Sequence, residues 1–244
     1  MESPLLTVPP AEVGLLLQRR SHPRLVGAAL IGLAGRGLLR VECTSPNRFQ
    51  VEPSWHLEVA DDHGGDGPTL RSHEERLLEA VRRLVSRRTG TRREVRDLDD
   101  VDELRGSSGA AHVERALRRD AAERGWLSAP PRRGPTASAR ALRPLALETR
   151  ERLLAGGAPW TSPLLALATA LDALPPEDAG ASRSGTPAAD EDGPAWFVPG
   201  RRPQDRGWPG ALQLARAVAA PGASGGLDWG SAPELVGQLL DLWR

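Results

Sequence analysis

His73-Glu74-Glu75 opens the H-E-x-x-H pattern, in which two imidazoles on one helix face hold zinc and the glutamate acts as general base. The second imidazole would stand at position 77, which is Leu77. No zinc site follows, and His73 is expected to be solvated in a first helical turn. Asp61, Asp62, His63 and Asp66 in DDHGGDG are potential oxygen and nitrogen ligands for a cation. Their spacing matches no EF-hand, so a flexible acidic loop is expected. Gly222-Ala223-Ser224-Gly225-Gly226 fits G-x-S-x-G. A nucleophile elbow needs a strand before it and a helix after it. Here the motif follows a helical stretch and precedes LDWG, so it reads as a linker. Gly35-Arg36-Gly37 lacks the third glycine and the βαβ frame of a dinucleotide fold. The single cysteine, Cys43, excludes an intrachain disulfide and is expected as a small buried residue on a strand. These residues yield no catalytic set, metal site or cofactor site.

Charge is concentrated in one place. Arg82, Arg83, Arg87, Arg88, Arg92, Arg93 and Arg96 stand within fifteen residues, against Glu94 alone. Such a cluster could hold phosphate, from duplex DNA or a lipid headgroup. Asp97, Asp99, Asp100, Asp102 and Glu103 follow at once, so local neutralisation is the preferred reading. The whole chain has 32 basic and 32 acidic residues, a balance that argues against a protein wrapped on nucleic acid. All the basic residues are Arg.

The elements that position these residues follow from periodicity and punctuation. Pro10 to Gln18 reads as a short helix with Glu12 near its positive end. Arg24 to Gly35 carries Leu25, Ala28, Ala29 and Leu33 on one face, and Gly37 stops it. Leu39 to Glu42 and Phe49 to Val51 are expected as a hairpin around Ser45-Pro46-Asn47. Ser72 and Glu75 form a capping box that opens a helix running to about Ser86. A short strand is expected at Val95 to Leu98, then a helix from Ala110 to Arg124, stopped by Gly125 and followed by a strand at Trp126-Leu127. LAGRGLL (Leu33–Leu39) and AAERGWL (Ala121–Leu127) share an Ala, the Arg-Gly pair and the final Leu, the mark of a repeated unit.

The fold class is therefore mostly α (α+β), with tandem winged-helix-like units carrying short β-hairpins and then a helical tail. The expected division is a first unit over 1–58, a loop over 59–69, a second unit over 70–128 and a linker over 129–139. A helical segment follows over 140–175, a disordered linker over 176–194 and a Trp-containing helical tail over 195–244. Over 140–244, helices are expected at Leu145 to Ala155, from Ser162 to Pro175, at Pro209 to Ala220 and at Ala232 to Trp243. Trp160, Trp196, Trp208, Trp229 and Trp243 are expected to anchor this second half. With no signal peptide or membrane span read from the sequence, a cytoplasmic chain is expected.

VPPAEVGLLL, PRLVGAALIGLAGRGLLRVE, HEERLLEA, VRDL and ERALRRDAAERGWL occur in that order between Thr7 and Leu127. In these phrases the chain resembles the C-terminal cytoplasmic region of the YciQ-type predicted membrane proteins, a bacterial family of unknown function. The resemblance covers about half the chain and implies winged-helix-like units, without catalytic residues to carry over. Membrane anchoring is not expected to carry over, because no hydrophobic span is read in this sequence. GAALIGLAGRGLL, LLEAVRRL, AAERGWL and LETRERLLAGGAPWTSPLLALATAL look like the bacterial relatives of Golgi phosphoprotein three. That likeness implies a helical protein, and eukaryotic members of the family bind phosphoinositide headgroups. The expected function is a non-enzymatic protein-interaction or scaffold module with an unknown protein partner. A DNA-binding regulator acting through the second unit and a peripheral membrane protein holding anionic headgroups are the alternatives.

Overall fold

A computed structural model describes residues 4–18, 22–44, 53–60, 69–90, 104, 108–128, 135–156, 160–175, 193–202 and 206–219, the side chains of 4, 6, 23, 87–90 and 108 aside. The described chain is mostly helical. After a 3-10 turn at Pro4–Thr7 come helices α1 (Pro10–Leu17) and α2 (Pro23–Gly35), then strands β1 (Leu39–Thr44) and β2 (Ser54–Val59). Helices α3 (Ser72–Gly90), α4 (Ser108–Glu123), α5 (Ala137–Ala155) and α6 (Ser162–Leu171) follow, then β3 (Phe197–Val198) and α7 (Gly207–Ala219).

Helix α2 is the hub because it is apolar all round, as expected of a helix buried on every side. Leu25, Val26, Ala28, Ala29, Leu30, Ile31, Leu33 and Ala34 are all buried. The helix packs against α1, α3, α4, α6, α7 and β1. Gly27 allows α7 to approach closely, since a Cβ there would lie 2.6 Å from the Val218 side chain. Leu25, Ala29, Leu33 and Leu39 are buried in one cluster, as the spacing predicted. That cluster also takes side chains from β2, α3, α4, α6 and α7. A second cluster joins Leu5, Val13 and Leu16 to Trp126, α5 and α6.

The repeated Arg-Gly phrase produces the same helix stop twice. Gly37 and Gly125 each have φ of 76°, just past the ends of α2 and α4. The amide of Gly37 donates to the carbonyl of Ala34 at 2.8 Å, and that of Leu38 to Leu33 at 3.0 Å. Gly125 donates to Ala122 at 2.9 Å and Trp126 to Ala121 at 2.8 Å. Both are Schellman stops, which favour glycine because a Cβ opposes the left-handed conformation.

Several expectations are corrected. The partner of β1 is β2 at Ser54–Val59, in antiparallel register from Leu39↔Val59 to Thr44↔Ser54. Phe49 to Val51 and the turn at Ser45 to Asn47 lie outside the described residues, as does the strand expected at Val95 to Leu98. Strand β2 ends at Val59, one residue past position 58. Trp126-Leu127 enters no hairpin among the described residues; Leu127 makes one isolated bridge to Pro135. The sheet has order β2-β1-β3, because Phe197-Val198 returns from the expected helical tail to pair in parallel with Val41 and Glu42. Burial of Trp196 and Phe197 drives this, with the Trp196 indole donating to the Ser162 hydroxyl at 2.8 Å and Phe197 packing on Trp55.

Helix α5 begins at Ala137 rather than Leu145, inside the expected linker. The Thr136 hydroxyl accepts from the Ala139 amide at 3.2 Å and caps it. Pro144 lies inside this helix on an exposed face, where water can reach the carbonyl left without an amide partner. The expected loop at DDHGGDG, residues 176–192 of the linker expected over 176–194 and the helix at Ala232 to Trp243 lie outside the described residues.

Candidate functional site

The largest assembly of charged side chains in the described structure joins the starts of α1 and α3 to the ends of α2 and α4. Glu12 and Glu74 are each the third residue of their helices, where a carboxylate meets the positive helix end. Each is held by an arginine placed just before a helix-stop glycine of the other helix pair. Arg124 Nε donates to Glu12 Oε2 at 2.5 Å, and Arg36 Nη2 donates to Glu74 Oε1 at 2.7 Å. Arg71, just ahead of α3, adds a second donor to Glu12, with Nε 3.2 Å from Oε1. Its Nη2 reaches the Asp120 carbonyl at 3.0 Å. Glu74 also accepts from the Arg71 amide at 2.9 Å, so the capping contact runs from Arg71 to Glu74, one residue ahead of the expected Ser72–Glu75 box.

His73 lies deeper than predicted, with no exposed surface, because α4 lays Asp120 over the start of α3. Asp120 Oδ2 accepts from the His73 amide at 2.9 Å and lies 2.6 Å from His73 Nδ1. Asp120 thus caps α3 across 47 residues of sequence. Burial alone would raise the Asp120 carboxyl pKa. Hydrogen bonds from the His73 ring, the His73 amide and the Ser72 hydroxyl, with attraction to His73, outweigh burial and bring it from 3.8 to about 2. Among the described residues, His73 Nε2 and Asp120 Oδ1 have no hydrogen-bond partner.

Glu12, His73 and Asp120 offer donor atoms within 4.8 Å of one another, a set that could be read as metal ligands. The guanidinium groups of Arg71 and Arg124 already occupy the Glu12 carboxylate and put positive charge where a cation would sit. The arrangement therefore suits charge pairing that ties α1, α3 and α4 together. The Arg124 guanidinium also covers the Trp126 ring, 5.4 Å from its centroid, and so links the junction to the second apolar cluster.

The expected anion-binding arginines are only partly in view. Arg82 and Arg83 are exposed on α3. Arg83 is paired with Glu79 at 2.5 Å, and Glu79 also holds Arg76 at 3.0 Å. The hydrogen bond from Arg76, then attraction to Arg83, keeps the Glu79 carboxyl below its ordinary range. Arg87 and Arg88 stand in the last turn of α3 with their side chains outside the described set. Arg92, Arg93 and Arg96 lie outside the described residues, as do Asp97 to Glu103 and Gly222 to Gly226. Cys43 is buried on β1.

Sequence reasoning noted Glu12 only as an acid near a helix start and gave Arg36 and Arg124 no role beyond the repeat. The signal that could have found the junction was the recurrence of Arg-Gly at both helix stops beside two helices with Glu in the first turn. No helix among the described residues is long and apolar enough to cross a membrane. No family model, curated protein or solved structure matches the chain.

Proposed function

We propose that this chain is a non-enzymatic protein-interaction or scaffold module. The observation that carries the reading is how the fold spends its reactive side chains. Glu12, His73, Glu74 and Asp120 are buried at the junction, and all four engage neighbouring groups there. They lock helix ends in place and present no nucleophile or acid–base pair to an open surface. Large apolar side chains are instead exposed on α5, at Leu147 and Leu154. The likeness to the YciQ-type cytoplasmic region supports the reading to the extent that it brings no catalytic residues with it.

Exposed Arg115 and Arg119 on α4 favour a second reading, a basic surface for duplex DNA or anionic headgroups. Its weakness is that Arg76 and Arg83 on the neighbouring α3 are already paired with Glu79. The test is affinity capture from extract with the immobilised full chain and with a Leu147→Glu/Leu154→Glu variant. A protein recovered by the first and lost by the second supports the interaction module. The polyanion arm uses duplex DNA or vesicles of anionic lipid with the same chain. Submicromolar binding near physiological salt, steeply salt-dependent and lost on replacing either Arg115 and Arg119 or Arg87, Arg88, Arg92 and Arg93, would overturn the proposal.

A further inference from the structure

Helix α5 has one face on the protein and one face free. Ala139 and Ala146 are buried, and Leu142, Leu145 and Leu153 are partly buried, where the helix packs against α1 and α6. On the opposite side Arg140, Arg143, Pro144, Leu147, Glu151 and Leu154 are all exposed. At about 100° per residue these six fall within one stripe roughly a quarter-turn wide. Leu147 is 43% exposed and Leu154 36%, the exposed large hydrophobic residues of the described structure. They lie seven residues apart, two helical turns, so they form one apolar seam.

The charges along the seam are ordered. Arg140 and Arg143 lie on its N-terminal half and form no ion pair or side-chain hydrogen bond among the described residues. Glu151 lies on its C-terminal half, 71% exposed, with a loose 3.7 Å contact to its neighbour Arg150. A helix that is basic, then apolar, then acidic along one face is complementary to itself when reversed. Turning a second copy by 180° about an axis at Leu147 sets Leu147 against Leu147. The same rotation sets Arg143 against Glu151 of the second copy and Glu151 against its Arg143, as an isologous contact requires. Arg140 then lies along Leu154 of the other helix, covering it with its methylene stem.

From this complementarity we infer that the exposed face of α5 pairs with the same face of a second copy of this chain, antiparallel and about a two-fold axis at Leu147. The inference rests on the interaction-module reading and names a partner for it. One helix face is at the small end of the roughly 1,200–2,000 Å² buried by stable interfaces, so the dimer is weak, with Kd on the order of 10–100 µM.

Sedimentation equilibrium of the full chain tests it. The average mass should rise from that of one 26.1 kDa chain toward twice that value as concentration passes through this range. Leu147→Glu should hold the chain monomeric. Arg143→Glu and Glu151→Arg should each weaken association by about tenfold, since each puts like charges together twice per dimer. The double charge reversal should return to within about threefold of the parent, because it rebuilds both pairs with the signs exchanged. Circular dichroism melts of all variants should match the parent, since the sites are exposed. A monomer at every concentration overturns the inference. So does a dimer indifferent to Leu147→Glu, or a double reversal no stronger than the single variants. A large drop in melting temperature for Leu147→Glu would show that the face is covered within its own chain, and would overturn it too. The capture experiment with other proteins reads out separately, so loss of self-pairing and loss of the broader reading are distinguishable.

Discussion

Replacing Asp120 with Asn removes a charge while keeping the shape that caps α3, and its effect can be worked from the junction. The folded-state pKa of Asp120 is about 2, against 3.8 ordinarily. At about 1.4 kcal/mol per pH unit, that gap corresponds to about 2 kcal/mol of stability held by the ionised carboxylate. The folded pKa is the lower one, so the unfolded chain takes up the proton first on acidification. The contribution is full well above the ordinary pKa of 3.8, shrinks as pH falls past that value and is lost by about pH 2. Asp120→Asn should therefore lower unfolding free energy by about 2–3 kcal/mol at pH 7, and the deficit should close as pH falls from about 5 to about 2. Urea denaturation followed by tryptophan fluorescence across that range measures both arms. Two curves separated by a constant offset over the whole range would refute the reasoning, because the loss would then not be the ionised carboxylate's.

Three further outcomes follow from the packing. Leu33→Ala empties a fully buried site in the hub helix and should cost roughly 2–5 kcal/mol; an unchanged urea midpoint would remove Leu33 from the core. Gly125→Ala should cost about 1 kcal/mol from backbone strain alone, since a Cβ there meets nothing within 4 Å, and Gly125→Asn should cost less. A thermal-melt comparison that ranks Asn below Ala would contradict the helix-stop assignment. Glu12→Gln and Arg124→Met should each destabilise, and the double variant should fall short of their sum by roughly 1–3 kcal/mol in a double-mutant cycle; strict additivity would mean the two groups do not interact.

What could be read from residue types was local. The α2 face and its glycine stop were legible because the information lies within fifteen residues of Arg24 to Leu38. The second glycine stop was legible as an echo of the first. The buried state of His73 was not, because spacing within α3 says nothing about Asp120, which reaches it from 47 residues away. Glu12 was seen as a favourable charge at a helix start, a correct local reason that hid its partner 112 residues on. The start of α5 was missed because a Pro- and Gly-rich composition outweighed one capping threonine at Thr136. The two-residue β3 has no periodicity to detect, and Trp196 and Phe197 place it by burial.

The crossed arginine–glutamate ties have a consequence for how this chain acquires its structure. Each helix pair supplies the arginine that secures the first turn of the other, so neither pair completes its own charge balance in isolation. The Glu12–Arg124 tie closes a loop of 112 residues, at an entropic cost on the order of 4 kcal/mol from chain length. Such a contact is unfavourable until the apolar clusters have drawn α1 and α4 together. Collapse around α2 should come first and the polar clasp last. Conservative changes at Glu12 or Arg124 should then act mainly by accelerating unfolding, with the refolding rate nearly unchanged.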